Sequence, residues 1–153
     1  MDLHKVKTYI QSGNAVFDST IKDAAALAKS IAAAIAGSHG FTPHVLVLKS
    51  TELEKAMGAN PYPDAENDPA TLHITILSAA PKSPDLRTLA SIKKDSERFT
   101  LKGRVFYLHA PEGIGRSKLA ARIEKLLGVP GNSRNWRVVK PHRPMRSSDC
   151  ILI

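Results

Sequence analysis

Between Arg104 and Gly128 the chain reads RVFYLHAPEGIGRSKLAARIEKLLG, and no other stretch constrains the fold as much. Val105, Tyr107 and His109 alternate with Phe106, Leu108 and Ala110, the period-2 pattern of a strand. Pro111, Gly113 and Gly115 break that strand. From Ser117 onward Leu119, Ala120, Ile123, Leu126 and Leu127 recur at helical spacing, and Gly128 with Pro130 supplies the stop signal. A strand, a glycine-bearing loop and a helix follow one another, and the rest of the fold is read outward from them.

Upstream, Val6 to Gln11 and Ala15 to Asp18 read as two strands joined by a tight turn at Ser12-Gly13-Asn14. Ser19 or Thr20 is expected to cap a helix whose buried face is Leu27, Ile31 and Ile35, ending at Gly37 and Gly40. Pro43 to Leu48 is an apolar strand, and Ser50 or Thr51 caps a further helix closed by Gly58. Asn60 to Pro69 is polar and proline-rich, the best subdomain boundary. Leu72 to Leu77 is a strand, Ser83 to Lys94 a helix, and Glu97 to Leu101 forms a hairpin with Val105 to His109. The second half therefore runs strand, helix, strand, strand, helix, the body of the split β-α-β or ferredoxin-like motif. The first half matches the same motif without its opening strand and helix. The expectation is an α+β chain of two ferredoxin-like halves, the first (1–59) incomplete. A linker (60–70), the second half (71–139) and an irregular basic tail (140–153) follow.

A chain of 153 residues makes one domain or two small packed subdomains without needing a disulfide or metal. The single cysteine, Cys150, cannot form an internal bridge, which fits a reducing compartment. The opening residues have no apolar core of a signal peptide, and no apolar run approaches the ~18 residues that span a bilayer. A cytoplasmic location with no membrane partner is the expectation. Charge is unevenly placed. Residues 1–100 carry eleven Lys and Arg against eleven Asp and Glu, whereas 101–153 carry eleven against three, so the formal excess of +8 lies there. Such asymmetry fits either an anionic partner or a solvated basic face.

Three separated motifs then stand out: TYIQSGNAVFDS, ANPYPDAENDPATLHITILSAAP and FYLHAPEGIGRSKLAARIEKLLGVPGNSRNW. In that order, across about residues 5 to 139, they resemble the largely bacterial family called domain of unknown function 1697 (DUF1697). The resemblance implies an α+β protein of two ferredoxin-like halves and brings no established activity. Members usually open with a strand, a loop of the type LLRGINVGG and a helix before the YIQSGN segment, and continue past NW as a helix. Here Met1 stands a few residues before that segment, and NWRVV runs into Lys140-Pro141-His142-Arg143-Pro144, whose prolines cannot continue a helix interior. The expectation is an N-terminally truncated copy with a divergent tail and an exposed sheet edge prone to self-association.

The loop Glu112 to Lys118 is the best candidate site. Gly113 and Gly115 admit a ligand close to the backbone, Ser117 opens the following helix, and Arg116 and Lys118 suit phosphate or carboxylate. A structural turn capped by Ser117 explains the same residues. The glycine spacing fits neither a Walker A loop nor a dinucleotide fingerprint. Lys118, Arg122 and Lys125 fall on one helical stripe, and Arg134 and Arg137 extend the basic character, so Arg122, Lys125, Arg134 and Arg137 are candidate nucleic-acid contacts. Tyr107 and Trp136 are either stacking partners for bases or core residues. Gln11, Ser12 and Asn14 form either a polar turn site or plain turn chemistry. His109 is a candidate base without an acid partner at a telling spacing. The six histidines and one cysteine show no metal-ligand spacing, so neither metal nor cofactor is expected. Cys150 to Ile153 matches the prenylation pattern, against which the bacterial resemblance weighs. The expected function is a cytoplasmic binding module for an anionic partner, nucleic acid or a phosphorylated ligand. The alternatives are an enzyme acting on a small phosphorylated or carboxylated substrate at 112–118, or a truncated copy without independent activity. The balance leans away from an enzyme.

Overall fold

A computed structural model describes residues 3–9, 14–140 and 149–152. The fold is mixed α+β with two four-stranded antiparallel sheets, and it divides into two compact units, 1–58 with 141–153, and 59–140.

In the first unit, β1 (Leu3–Tyr9) and β2 (Asn14–Ser19) pair antiparallel, with a register shift between His4 and Lys7. Within that irregularity Lys5 has a φ of 52°, an unusual conformation for a residue with a side chain. Helix α1 (Ala24–His39) is capped by Asp23, whose Oδ1 accepts from the backbone N–H of Ala25 and Ala26 at 3.0 and 3.1 Å. The cap expected at Ser19 or Thr20 is not there; Ser19 Oγ accepts instead from Ile21 N. The helix runs through Gly37 and stops at Gly40, whose φ of 74° is the left-handed end signal. Leu27 and Ile31 are its buried residues and pack with Phe17 of β2 and Val47 of β3 (Val47–Lys49). Helix α2 (Ser50–Gly58) follows at once, with Glu52 Oε2 accepting from Lys49 N at 3.0 Å. That bond is one half of a capping box.

Strands β2 and β3 are not neighbours. In the second unit β4 is Leu72–Leu77, α3 Leu86–Ile92, β5 Arg98–Lys102 and β6 Val105–His109. There follow α4 (Ile123–Leu127), β7 (Gly131–Asn135) and α5 (Trp136–Val139). Only then does β8 (Asp149–Leu152) lie between β2 and β3, giving the first sheet the order β1-β2-β8-β3. The pairs run from Ala15↔Leu152 to Asp18↔Asp149 on one side and from Val47↔Leu152 to Lys49↔Cys150 on the other. Part of the segment read as an irregular tail is thus a strand inside a sheet.

The second sheet has the order β5-β6-β4-β7, all antiparallel. All six residues of β4 are buried. Leu77, Phe106 and Leu108 pack against Leu89 of α3 and against Leu119, Ile123 and Leu127. Two elements differ from expectation. The α3 helix starts at Leu86, because Asp85 Oδ1 accepts from Thr88 N at 3.0 Å. The helix expected from Ser117 to Leu127 is broken into a 3-10 turn at Ala120–Arg122 and the five residues of α4. Ser117 Oγ accepts from Ala120 N, Arg122 N donates to Leu119 O in a tight i→i−3 bond, and Arg122 sits at φ −118°, ψ 5°. Regular helix resumes only at Ile123. Strand β7 was not anticipated, for GNSRN carries no apolar residue. Its Gly131 is required by close packing, since a Cβ there would lie 2.9 Å from Ile76 O and from Leu77 Cδ2. Among the described residues no helix is long and apolar enough to cross a membrane.

Candidate functional site

The loop after β6 is built by short-range bonds. Gly113 N donates to Ala110 O at 3.0 Å, Ile114–Arg116 makes a 3-10 turn, and Ser117 N donates to Ile114 O at 3.1 Å. Gly113 has φ 91°, which favours glycine, and nothing lies within 4 Å of a Cβ built on Gly113 or Gly115. The space over both glycines is therefore open to an approaching group. Arg116 and Lys118 are exposed. Ser117 is buried at 5 % exposure with its hydroxyl committed to Ala120 N, so it belongs to the turn and not to the surface. No long helix follows this loop within its unit. Helix α4 starts six residues beyond Ser117 and has five residues, too short to focus a large macrodipole there. Attraction for an anion falls to the side chains.

Those side chains are available. Arg116, Lys118, Arg122 and Lys125 are all exposed, and none forms an ion pair among the described residues. The helical stripe that would align the last three is interrupted at Arg122. Nearby acids are partly engaged: Glu112 Oε2 accepts from Ser96 Oγ at 2.7 Å and lies 3.8 Å from Lys94 Nζ, while Glu124 Oε1 accepts from Gly131 N at 3.3 Å. A shallow open depression of about 470 Å³ adjoins Lys125, lined also by Ala121, Glu124 and Gly128 to Pro130. Arg137 is exposed too, whereas Arg134 is half-buried, donates to Ser133 O at 2.9 Å, and has its pKa lowered by burial. Tyr107 and Trp136 are 1 % and 2 % exposed, so neither offers a face for stacking; they are core. Burial also raises the Tyr107 hydroxyl pKa.

At the same end of the second sheet lies a cluster that spacing in the sequence did not reveal. Arg98 opens β5 opposite His109, which closes β6. Its Nε and Nη2 reach His109 Nδ1 at 3.2 and 2.9 Å, and Nη2 also bonds Asp64 Oδ2 at 2.8 Å. The guanidinium stacks 4.5 Å from the Tyr62 ring, and Tyr62 OH bonds Thr100 Oγ1 at 2.7 Å. Asn60 braces this segment, accepting from Tyr62 N and donating to Glu66 Oε1. The cluster pins the NPYPDAEN stretch to the sheet. Burial, then the Arg98 charge, lower the His109 pKa against the pull of Asp64 and Asp68. Accepting at Nδ1 places the ring proton on Nε2, so His109 presents a donor and does not serve as the base suggested by its place beside the loop. The Asp64 carboxyl is held below its ordinary pKa chiefly by its hydrogen bond from Arg98.

Two buried polar atoms lack a partner among the described residues, His73 Nε2 and Glu97 Oε1. Burial lowers the His73 pKa despite a hydrogen bond to the Ala70 backbone. Glu97 Oε2 accepts from Lys94 N at 2.9 Å, closing the turn into β5. Among the described residues no group of three or more His, Cys, Asp or Glu is placed to hold a metal. Gln11 and Ser12 lie outside the described residues, and Asn14 is a buried residue opening β2, where it faces Tyr9 in register. Cys150 sits mid-sheet, in register with Phe17 and Lys49.

No curated protein and no solved structure matches the chain. A family model described as "Protein of unknown function (DUF1697)" matches residues 1–107, which takes in the proline-rich segment and Arg98 and stops before the 112–118 loop. With more than two thirds of its length matched in this way, the chain belongs to the DUF1697 family.

Proposed function

We propose that this protein is a binding module for an anionic, phosphate-bearing partner, engaged through Arg116, Lys118, Arg122 and Lys125. One observation carries this: four exposed cations lie within ten residues, and none has an acidic partner among the described residues. Lys94 and Arg98, by contrast, are paired to Glu112 and Asp64. Arginine forks and lysine charges in such a row suit phosphate oxygens. With Tyr107 and Trp136 buried, neither adds an aromatic platform, so recognition of a nucleic acid through these four cations would rest on its backbone and tolerate any base sequence. The open space over Gly113 and Gly115 beside Arg116 also favours a small phosphorylated ligand at the loop.

The two units are, in this proposal, two ferredoxin-like halves in a protein of the reducing cytoplasm. The support is strand order: β5-β6-β4-β7 is the order of a split β-α-β sheet, and β1-β2-β8-β3 repeats it with β8 where the motif has its opening strand. The single cysteine supports the compartment.

The test is fluorescence anisotropy with labelled single-stranded and duplex oligonucleotides across a salt series. The expected outcome is binding that weakens as salt rises. Changing Arg116, Lys118, Arg122 and Lys125 together to Gln should flatten the log–log salt slope by roughly 3, near 0.7–0.9 for each phosphate no longer neutralised. Absence of binding at low salt, or binding indifferent to salt, refutes the nucleic-acid form. Binding of inorganic phosphate that is abolished in Arg116→Ala, with no oligonucleotide binding, selects the small-ligand form.

A further inference from the structure

We infer that the slot between β2 and β3 is a strand-acceptor site, and that it takes residues 149–152 from a second copy of this chain as well as from its own. The slot is defined by two strands that are not paired with each other and are each hydrogen-bonded to β8. Both flanking strands run antiparallel to β8, with four register pairs to β2 and three to β3. Such a slot reads a backbone ladder and the side-chain alternation of whatever strand enters, not the covalent origin of that strand. Without β8, β2 and β3 each present a row of unpaired N–H and C=O groups, the template on which another chain pairs.

Two further features make the strand exchangeable. The chain leaves the first unit at Gly58, builds the second through Lys140, and contributes 149–152 only afterwards, so the donor is remote in sequence from its acceptor. The strand is also short, pairing over four residues with β2 and three with β3. A short strand donated from a distance is what copies exchange when their concentration rivals the effective concentration set by the connecting chain.

The test uses the full chain and its single native cysteine as a reporter. Cys150 is in register with Lys49, whose side chain is exposed, so Lys49→Cys places two thiols on facing positions of β3 and β8. Equal amounts of normal and nitrogen-15-labelled Lys49→Cys chain are unfolded together, refolded at increasing concentration and oxidised. The disulfide-linked 49–150 peptides are then weighed. At high dilution each linked pair should carry one isotope. Mixed-isotope pairs should rise roughly in proportion to concentration while the dimer is the minor species. Single-isotope linkage at every concentration, or no 49–150 linkage in a folded chain, overturns the proposal.

As a control independent of that substitution, the unmodified chains are co-refolded and examined by native mass spectrometry. Mixed-mass dimers that disappear in Ile151→Pro support exchange. Monomer up to the highest concentration, or a dimer that survives Ile151→Pro and so pairs elsewhere, overturns it.

Discussion

The two sheets share one plan and differ in how the chain delivers its inner strand. Each has a hairpin on one side, β1-β2 or β5-β6, a lone strand on the other, β3 or β7, and one strand inserted between. In the second unit the inserted strand is β4, the first strand of its own unit, made before both its neighbours and paired over five residues on each side. In the first unit the inserted strand is β8, which follows the whole of the other unit and pairs over four residues and three. The same ladder is thus closed locally once and from afar once. Loop-closure entropy rises only slowly with length, so the remote closure is tolerable in stability, but it makes the first unit depend on pairing of very long range.

The sharpest way to break this comparison is a proline in each inserted strand. Ile151→Pro removes a ladder donor in the middle of β8, which a strand paired on both sides does not tolerate. Hydrogen exchange should show β2 and β3 losing protection while β4 to β7 keep theirs. Ile74→Pro in β4 should do the reverse. Loss of both sheets in either variant would show that the units do not stand apart.

A smaller effect should come from Gly131. A Cβ at this position meets Ile76 O at 2.9 Å, and a backbone oxygen in a buried strand cannot swing away. Gly131→Ala should therefore destabilise the second unit by about 1–3 kcal/mol, as overpacking does, read as a lower urea midpoint. Protection of β2 and β3 should stay unchanged. An unaltered midpoint would mean that β7 is held more loosely than its register implies.

The gentlest probe is pH. His73 and His109 both have folded pKa values below the ordinary value, set first by burial. The unfolded chain takes up protons at about pH 6.5 that the folded unit resists. Stability of the second unit should therefore be full above that pH and decline as pH falls through it, levelling once the folded rings protonate. Urea midpoints at about pH 7.5 and about pH 5 measure the decline, and His73→Gln should shrink it. A midpoint that rises on acidification would contradict a neutral buried ring.

What the sequence disclosed, it disclosed through apolar pattern. Strands β4 and β6 show in LHITIL and VFYLH, and α1 in the spacing of Leu27 and Ile31. β7 stayed hidden because GNSRN has no apolar side chain and is held, half-buried, by its pairing with β4 and not by its own hydrophobicity. β8 is apolar enough, yet which strands it joins is a tertiary fact that no local pattern contains. The basic residues at 116–125 were legible as composition. The continuous helix meant to align them was not realised, because Ser117 spends its hydroxyl on a tight turn. Arg98, Asp64 and His109 were not legible as a group at all. Asp64 and His109 stand 34 and 11 residues from Arg98 along the chain, and only the pairing of β5 with β6 brings the three together.

The place of β8 also has a consequence on the ribosome. One hundred residues separate Lys49 of β3 from Asp149 of β8. At synthesis rates of roughly 5–20 residues per second, the hairpin and β3 wait on the order of 5–20 s before the strand that joins them exists. The second unit has every strand it needs by Asn135. The half made first is therefore the half finished last, and for those seconds its open edges are the part of the nascent protein most in need of cover.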